Sequence, residues 1–305
     1  MPLRSDLRLF LLLAFGISWC IAGIGALTGV DATSGLAYSV VALGFMLGPA
    51  LAAILLVVFF RRKGWGALGL GFGGVRWGPM AWTALYGLAL VPVTLLVCWC
   101  FGNLLGFDAF GDVALTQARV ESSVVAMAEA AGQNGELARK ALGGMQLPGA
   151  VWLLLFLAMA LGAAVTLNVP AMLGEELGWR GVMYALLDGW PPRRRIVFTG
   201  VVWGLWHAPL IAMGHNYGEH RLAGIALMVV FCMLLAVLFD RARTMAASVW
   251  AAVLLHGLIN GSAGAFALFT QGGHPLVASP AGLAGMVAIA LMIAILALSD
   301  RARAR

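Results

Sequence analysis

Two adjacent carboxylates, Glu175 and Glu176, are followed by Arg180 in the stretch GEELGWRG at 174–181. Only 10% of the chain is charged, and this stretch is flanked by apolar runs. At mid-bilayer each charge costs roughly 3 kcal/mol on insertion scales. Three together cost about 9 kcal/mol, comparable to the net stability of a whole domain. Something must offset that cost. Glu176 and Arg180 share one helical face at i,i+4 spacing and can pair as neighbours. Glu175 points about 100° away around the helix and has no cation within reach on its own segment. A carboxylate left out of the pair can accept a proton from water, the task of a general base.

Further polar residues stand in other apolar segments. His207 lies in VWGLWHAP at 202–209, and His256 and Asn260 lie in LLHGLIN at 254–260. One histidine on an apolar helix is more often a hydrogen-bonded packing residue than a catalytic one. Two histidines and an amide on separate segments are costly unless they meet, so we expect a common polar cavity. Trp203 and His207 are spaced i,i+4, as are His256 and Asn260, which aligns each pair on one face. A carboxylate to deprotonate water, an imidazole to orient or protonate and an amide to stabilise an oxyanion are the parts of a peptidase. Gly174, Gly178 and Gly181 leave a small surface beside the acids, where another helix or a substrate backbone can approach closely.

The elements that must position these groups are membrane helices. Of the 305 residues, 62% are hydrophobic and the mean hydropathy is +0.95, against about 45–50% apolar content in soluble domains. The expected fold is all-α, a polytopic bundle of about eight transmembrane helices forming a single membrane domain over 1–305. With about 20 residues needed per crossing, the apolar windows are 8–28, 37–60, 79–103, 148–168, 196–214, 222–239, 246–264 and 280–298. A ninth segment, 171–188, follows Pro170 and carries the charged motif, so it reads as a continuation of the fourth helix or a re-entrant piece. The basic N-terminus followed by an apolar run resembles a signal peptide, but we expect a retained first helix.

The net charge of +6 and pI near 9.6 do not indicate nucleic acid, because the basic residues flank the apolar runs. Arg61, Arg62, Lys63 and Arg76, then Arg193 to Arg195, Arg241 with Arg243, and Arg301, Arg303 and Arg305 form four clusters. The positive-inside rule puts all of them and both termini in the cytoplasm if 148–188 makes one net crossing. The expected location is a bacterial cytoplasmic membrane. The connection 104–147 then lies outside as an extramembrane insertion, with a surface helix from 118 to 146 interrupted at 132–135. Cys20, Cys98, Cys100 and Cys232 all lie in apolar runs and read as packing residues. His215, His220 and His274 read as solvated loop residues.

Taken in order, Glu175-Glu176-xxx-Arg180, Trp203-xxx-His207 and His256-xxx-Asn260 resemble the motifs of the CPBP family, the CAAX-protease and bacteriocin-processing intramembrane proteases also called Abi proteins. That family includes the Ras-converting CAAX prenyl endopeptidases. The resemblance covers a core of about 148–264. It implies an eight-helix peptidase in which Glu175 activates water, His207 assists, His256 and Asn260 stabilise the oxyanion, and Glu176 with Arg180 orients the site. The family pattern usually has Phe where this chain has Trp203.

Family members are commonly called metalloproteases, yet this chain lacks the His-Glu-x-x-His helix of familiar zinc peptidases. Glu175, His207 and His256 could still ligate Zn²⁺ with one position open, so both a zinc and a metal-free mechanism stay open. The expected partners are the lipid bilayer and a protein or peptide substrate in or at the membrane, with no nucleic acid. A non-enzymatic immunity or binding protein on the same fold is the first alternative and a proton-coupled transporter the second, since intramembrane carboxylates and histidines can relay protons. The paired broken helices in inverted halves that favour transport do not stand out in the sequence.

Overall fold

The computed structural model describes residues 2–142 and 145–303. Arg305, counted above in the C-terminal basic cluster, lies outside the described residues. The architecture is all-α. In chain order the helices are α1 (Pro2–Leu27), α2 (Leu36–Ile54), α3 (Trp77–Cys98), α4 (Gln117–Ala130), α5 (Gly135–Leu142), α6 (Gly149–Ala164), α7 (Val169–Glu176), α8 (Met183–Leu186), α9 (Pro192–Trp206), α10 (Ala208–Ala212), α11 (Arg221–Met245), α12 (Val249–Phe269) and α13 (Leu283–Arg303). Strands β1 (Asp112–Val113) and β2 (Thr270–Gln271) pair antiparallel.

Among the described residues, seven helices are long and apolar enough to cross a membrane. They become eight when the broken pair Gly149–Ala164 and Val169–Leu186 counts as one span. The chain is an integral membrane protein. The break in that pair has a local cause: Pro170 lacks an amide donor and sits in the first turn of α7. Asn168, just before α7, donates from Nδ2 to the Gly257 carbonyl at 3.0 Å.

The chain divides into two compact units, Met1–Leu85 with Ala164–Gly257 and Tyr86–Ala163 with Leu258–Arg305. In the first, α2 packs against α1 and α7, and α9 packs against α11. Small residues set both α2–α7 and α9–α11 separations. A Cβ added at Gly174 would lie 2.8 Å from the Met46 carbonyl oxygen, and one at Gly178 would lie 2.5 Å from Pro49 Cβ. On α9, added Cβ atoms at Gly200 and Gly204 would come within 2.6 and 2.5 Å of the Met233 and Val229 Cα atoms. Gly174 and Gly178 of the charged stretch therefore admit a neighbouring helix backbone, in the small-xxx-small manner of membrane packing, whereas an added Cβ at Gly181 would meet Leu177 of its own turn first, at 3.4 Å.

The second unit has its own core, in which Leu95, Cys98, Val113, Val120, Trp152, Phe266 and Phe269 are buried. The polar segment 104–147 joins this core through Val113 and Val120, and its two helices, α4 and α5, are separated at 131–134, close to the interruption expected from Gly132 and Gly135. Thr116 caps α4 by accepting from the Arg119 amide.

Candidate active site

Glu175 and Glu176 occupy the last two positions of α7, and a π-helical turn, Leu177–Val182, follows at once. Such turns are uncommon and recur at functional sites. Both carboxylates and Arg180 are buried, at 2%, 0% and 3% exposure. The two acids are treated differently. Arg180 Nη1 donates to both oxygens of Glu176, at 3.0 and 3.1 Å, and the Nδ1–H of His256 donates to Glu176 Oε1 at 2.9 Å. Glu175 receives one hydrogen bond among the described residues, from Trp203 Nε1 to Oε2 at 2.8 Å, which leaves Oε1 available.

Arg180 is held between two aromatic faces, 4.3 Å from the Trp203 ring and 4.2 Å from the Phe239 ring. Cation–π attraction strengthens when the cation is desolvated, so these rings offset part of the burial cost. Phe239 and Trp203 each meet the edge or face of the His256 ring, with centroids 5.5 Å apart in both cases. Trp203, Phe239 and His256 thus form the walls around the buried charges.

His207 follows α9 as its C-cap, where Pro209 in the next turn ends the regular ladder. Its Nδ1–H donates to the Trp203 carbonyl at 2.8 Å. A histidine that donates from Nδ1 to a carbonyl or carboxylate keeps its lone pair on Nε2. The same geometry holds for His256 against Glu176 while that imidazole is neutral. Trp203 therefore links two catalytic candidates: its indole holds Glu175 and its backbone holds His207.

The structure brings together Glu175, Glu176, Arg180, His207 and His256 within the first unit. Asn260 lies one turn beyond His256 on α12, in the second unit, and is exposed. Its alignment with His256 follows from the helix register. Donor atoms of Glu175, Glu176 and His256 lie within 4.8 Å of one another, a different trio from Glu175, His207 and His256. Glu176 is a poor ligand in that trio, because a guanidinium already occupies both its oxygens. The atoms with open lone pairs are Glu175 Oε1 and Nε2 of the two histidines. Their donor types suit zinc.

Sequence reasoning missed two residues here. Phe239 has the composition of any apolar helix position, so nothing in the sequence marks it as the second face of the Arg180 sandwich. Arg243 was read as topology, yet its Nε donates to the Arg180 carbonyl inside the π-turn at 3.0 Å. Of the loop histidines, His220 and His274 are exposed as expected. His215 instead is half-buried and stacks on Tyr38 with centroids 5.9 Å apart, and burial holds its imidazole below the ordinary histidine range. Among the cysteines, Cys232 is buried and its thiol meets Met228 Sδ at 3.6 Å, a packing contact.

Residues 149–262 match the family model of the type II CAAX prenyl endopeptidase Rce1-like proteins. This stretch is similar to the Rce1-like proteins. It contains all six candidate residues from Glu175 to Asn260 and agrees with the resemblance drawn from the three motifs. A search among curated proteins finds no match to the chain.

Proposed function

We propose that the protein is an intramembrane endopeptidase of CAAX type, hydrolysing a peptide bond in a membrane-associated or lipidated protein or peptide. The observation that carries this reading is the unequal treatment of adjacent buried carboxylates. Glu176 is consumed by Arg180 and His256, whereas Glu175 retains an oxygen. Glu175 Oε1 takes a proton from water, and the hydroxide attacks the scissile carbonyl carbon. In its protonated form His256 donates from Nε2 to the resulting oxyanion, with the Asn260 amide as the second donor. As the C–N bond breaks, the proton held on Glu175 passes by way of His207 Nε2 to the leaving nitrogen. Glu176 and Arg180 fix the His256 ring throughout.

Zinc held by Glu175, His207 and His256 would supply a Lewis acid for the carbonyl. The two versions differ at His256, which is a hydrogen-bond donor in one and a lone-pair ligand in the other. Cleavage that survives exhaustive chelation supports the glutamate version, and loss with recovery on adding zinc supports the metal version. The basic clusters support both termini on the cytoplasmic side of the membrane.

The test is a comparison of protein termini in membranes of cells producing wild type or Glu175→Gln at equal levels. Termini that appear with wild type and vanish with the substitution support the peptidase and reveal its substrate class. Identical termini, with both proteins folded and membrane proteins well sampled, overturn it in favour of a binding protein that uses the same buried charges for recognition.

A further inference from the structure

The outer face of α1 carries a groove of about 830 Å³ lined by Leu11, Phe15, Gly16, Trp19 and, from α9, Val202, with Arg8 at its N-terminal end. From Arg8 to Trp19 the helix rises roughly 16 Å, close to the about 15 Å depth of one hydrocarbon leaflet. The lining is apolar apart from Arg8. The nearest acid in sequence, Asp6, is already engaged by Arg61, whose Nε donates to it at 2.9 Å in addition to a second contact from Nη2. Among the described residues no hydrogen bond or ion pair engages Arg8, and it is exposed. The groove therefore presents one uncompensated cation above an apolar channel of leaflet depth.

We propose that this groove binds a single anionic phospholipid, its phosphate on Arg8 and an acyl chain along Leu11, Phe15 and Gly16 toward Trp19. Charge complementarity selects the anionic headgroup, and the length and apolar lining select the chain. Gly16 makes the channel: a Cβ added there meets nothing within 4 Å, so the helix face is open at that point. The floor of the groove is tied to the candidate site. Trp19 Nε1 donates to the Trp206 carbonyl at 3.1 Å, and Trp206 immediately precedes His207. A bound chain presses on Trp19 and through it steadies the end of α9 that carries the histidine.

Native mass spectrometry of the purified full chain measures this without any substrate, so failure of the peptidase reading leaves it intact. The probes are palmitoyl-oleoyl phosphatidylglycerol and phosphatidylcholine, added at equal concentration. One molecule of the glycerol lipid is expected to be retained about fivefold over the choline lipid, the effect of one basic residue at a lipid surface. Arg8→Glu removes the preference, and Gly16→Trp removes retention of both lipids. Ile24→Trp, on an exposed position of α1 outside the groove, leaves retention unchanged, and the melting temperature of each variant verifies its fold. Equal retention of both lipids by wild type, or anionic retention unaffected by Arg8→Glu and Gly16→Trp, overturns the proposal. So does a dimer that Gly16→Trp dissociates while lipid retention stays the same, because a second copy then occupies the face.

Discussion

The two units each hold an arginine–carboxylate pair from one short stretch of sequence, and the pairs differ in almost everything else. In the first, Arg180 and Glu176 are buried at 3% and 0% side-chain exposure. In the second, Arg119 and Asp112 stand at 14% and 53%, and Asp112 also accepts from Asn103. The outer pair is local joinery: Asn103 ties β1 to the turn that follows α3, and Arg119 ties it to the start of α4. The inner pair supports a third group, His256, and stands beside a carboxylate that the pairing leaves out. Burial is what converts an ordinary ion pair into part of a site, because water cannot replace a lost partner there.

Substitutions can break that contrast. The largest effect is expected at Glu175→Gln, which keeps an oxygen for Trp203 and removes the base. Cleavage of the substrate found in the termini experiment should fall about 10²–10⁴-fold with the melting temperature nearly unchanged; an unaffected rate removes Glu175 from the mechanism. Next is Arg180→Met, which strands Glu176 without a cation and should cost about 3–5 kcal/mol in denaturant unfolding. Adding Glu176→Leu should recover most of that stability but none of the activity. If the double variant stays as unstable as the single one, the pair is not the source of the cost.

Smaller effects test the packing and the outer pair. Gly178→Ala places a methyl 2.5 Å from Pro49 Cβ and should destabilise by about 1–3 kcal/mol, whereas Gly16→Ala, facing open space, should stabilise slightly through helix propensity. A neutral Gly178→Ala would mean that α2 and the π-helical turn after α7 are further apart than described. Asp112→Asn should cost under about 1 kcal/mol. The hydrogen bond from Arg119 holds the Asp112 carboxyl below the usual carboxylate range. Its small contribution is therefore complete above about pH 4 and disappears as pH falls through the depressed folded value. The stability difference between wild type and Asp112→Asn should vanish at that acid end, as measured by urea unfolding across pH.

Much of the site was legible because it is local. The Glu176–Arg180 pair and the Trp203–His207 link are i,i+4 relations that helical period places on one face, although Arg180 stands in the π-helical turn after α7 and His207 caps α9. The spans were legible because each apolar window is long enough to cross a bilayer. The burial of Val120 in the core of the second unit and the stacking of His215 on Tyr38 were not, since both depend on chain segments far away in sequence.

What the sequence by itself determined is which residues can do chemistry, which helix carries each and which neighbours share its face. The tertiary structure decided their partners. Trp203 reaches Glu175 across 28 residues, and His256 reaches Glu176 across 80. Helical period specifies direction around one axis but not the separation or depth of two axes. Those are set by contacts such as Gly174 and Gly178 against α2, and Gly200 and Gly204 against α11. Only when the helices have closed on those glycines does one carboxylate acquire a cation and an imidazole while its neighbour keeps an oxygen to spare.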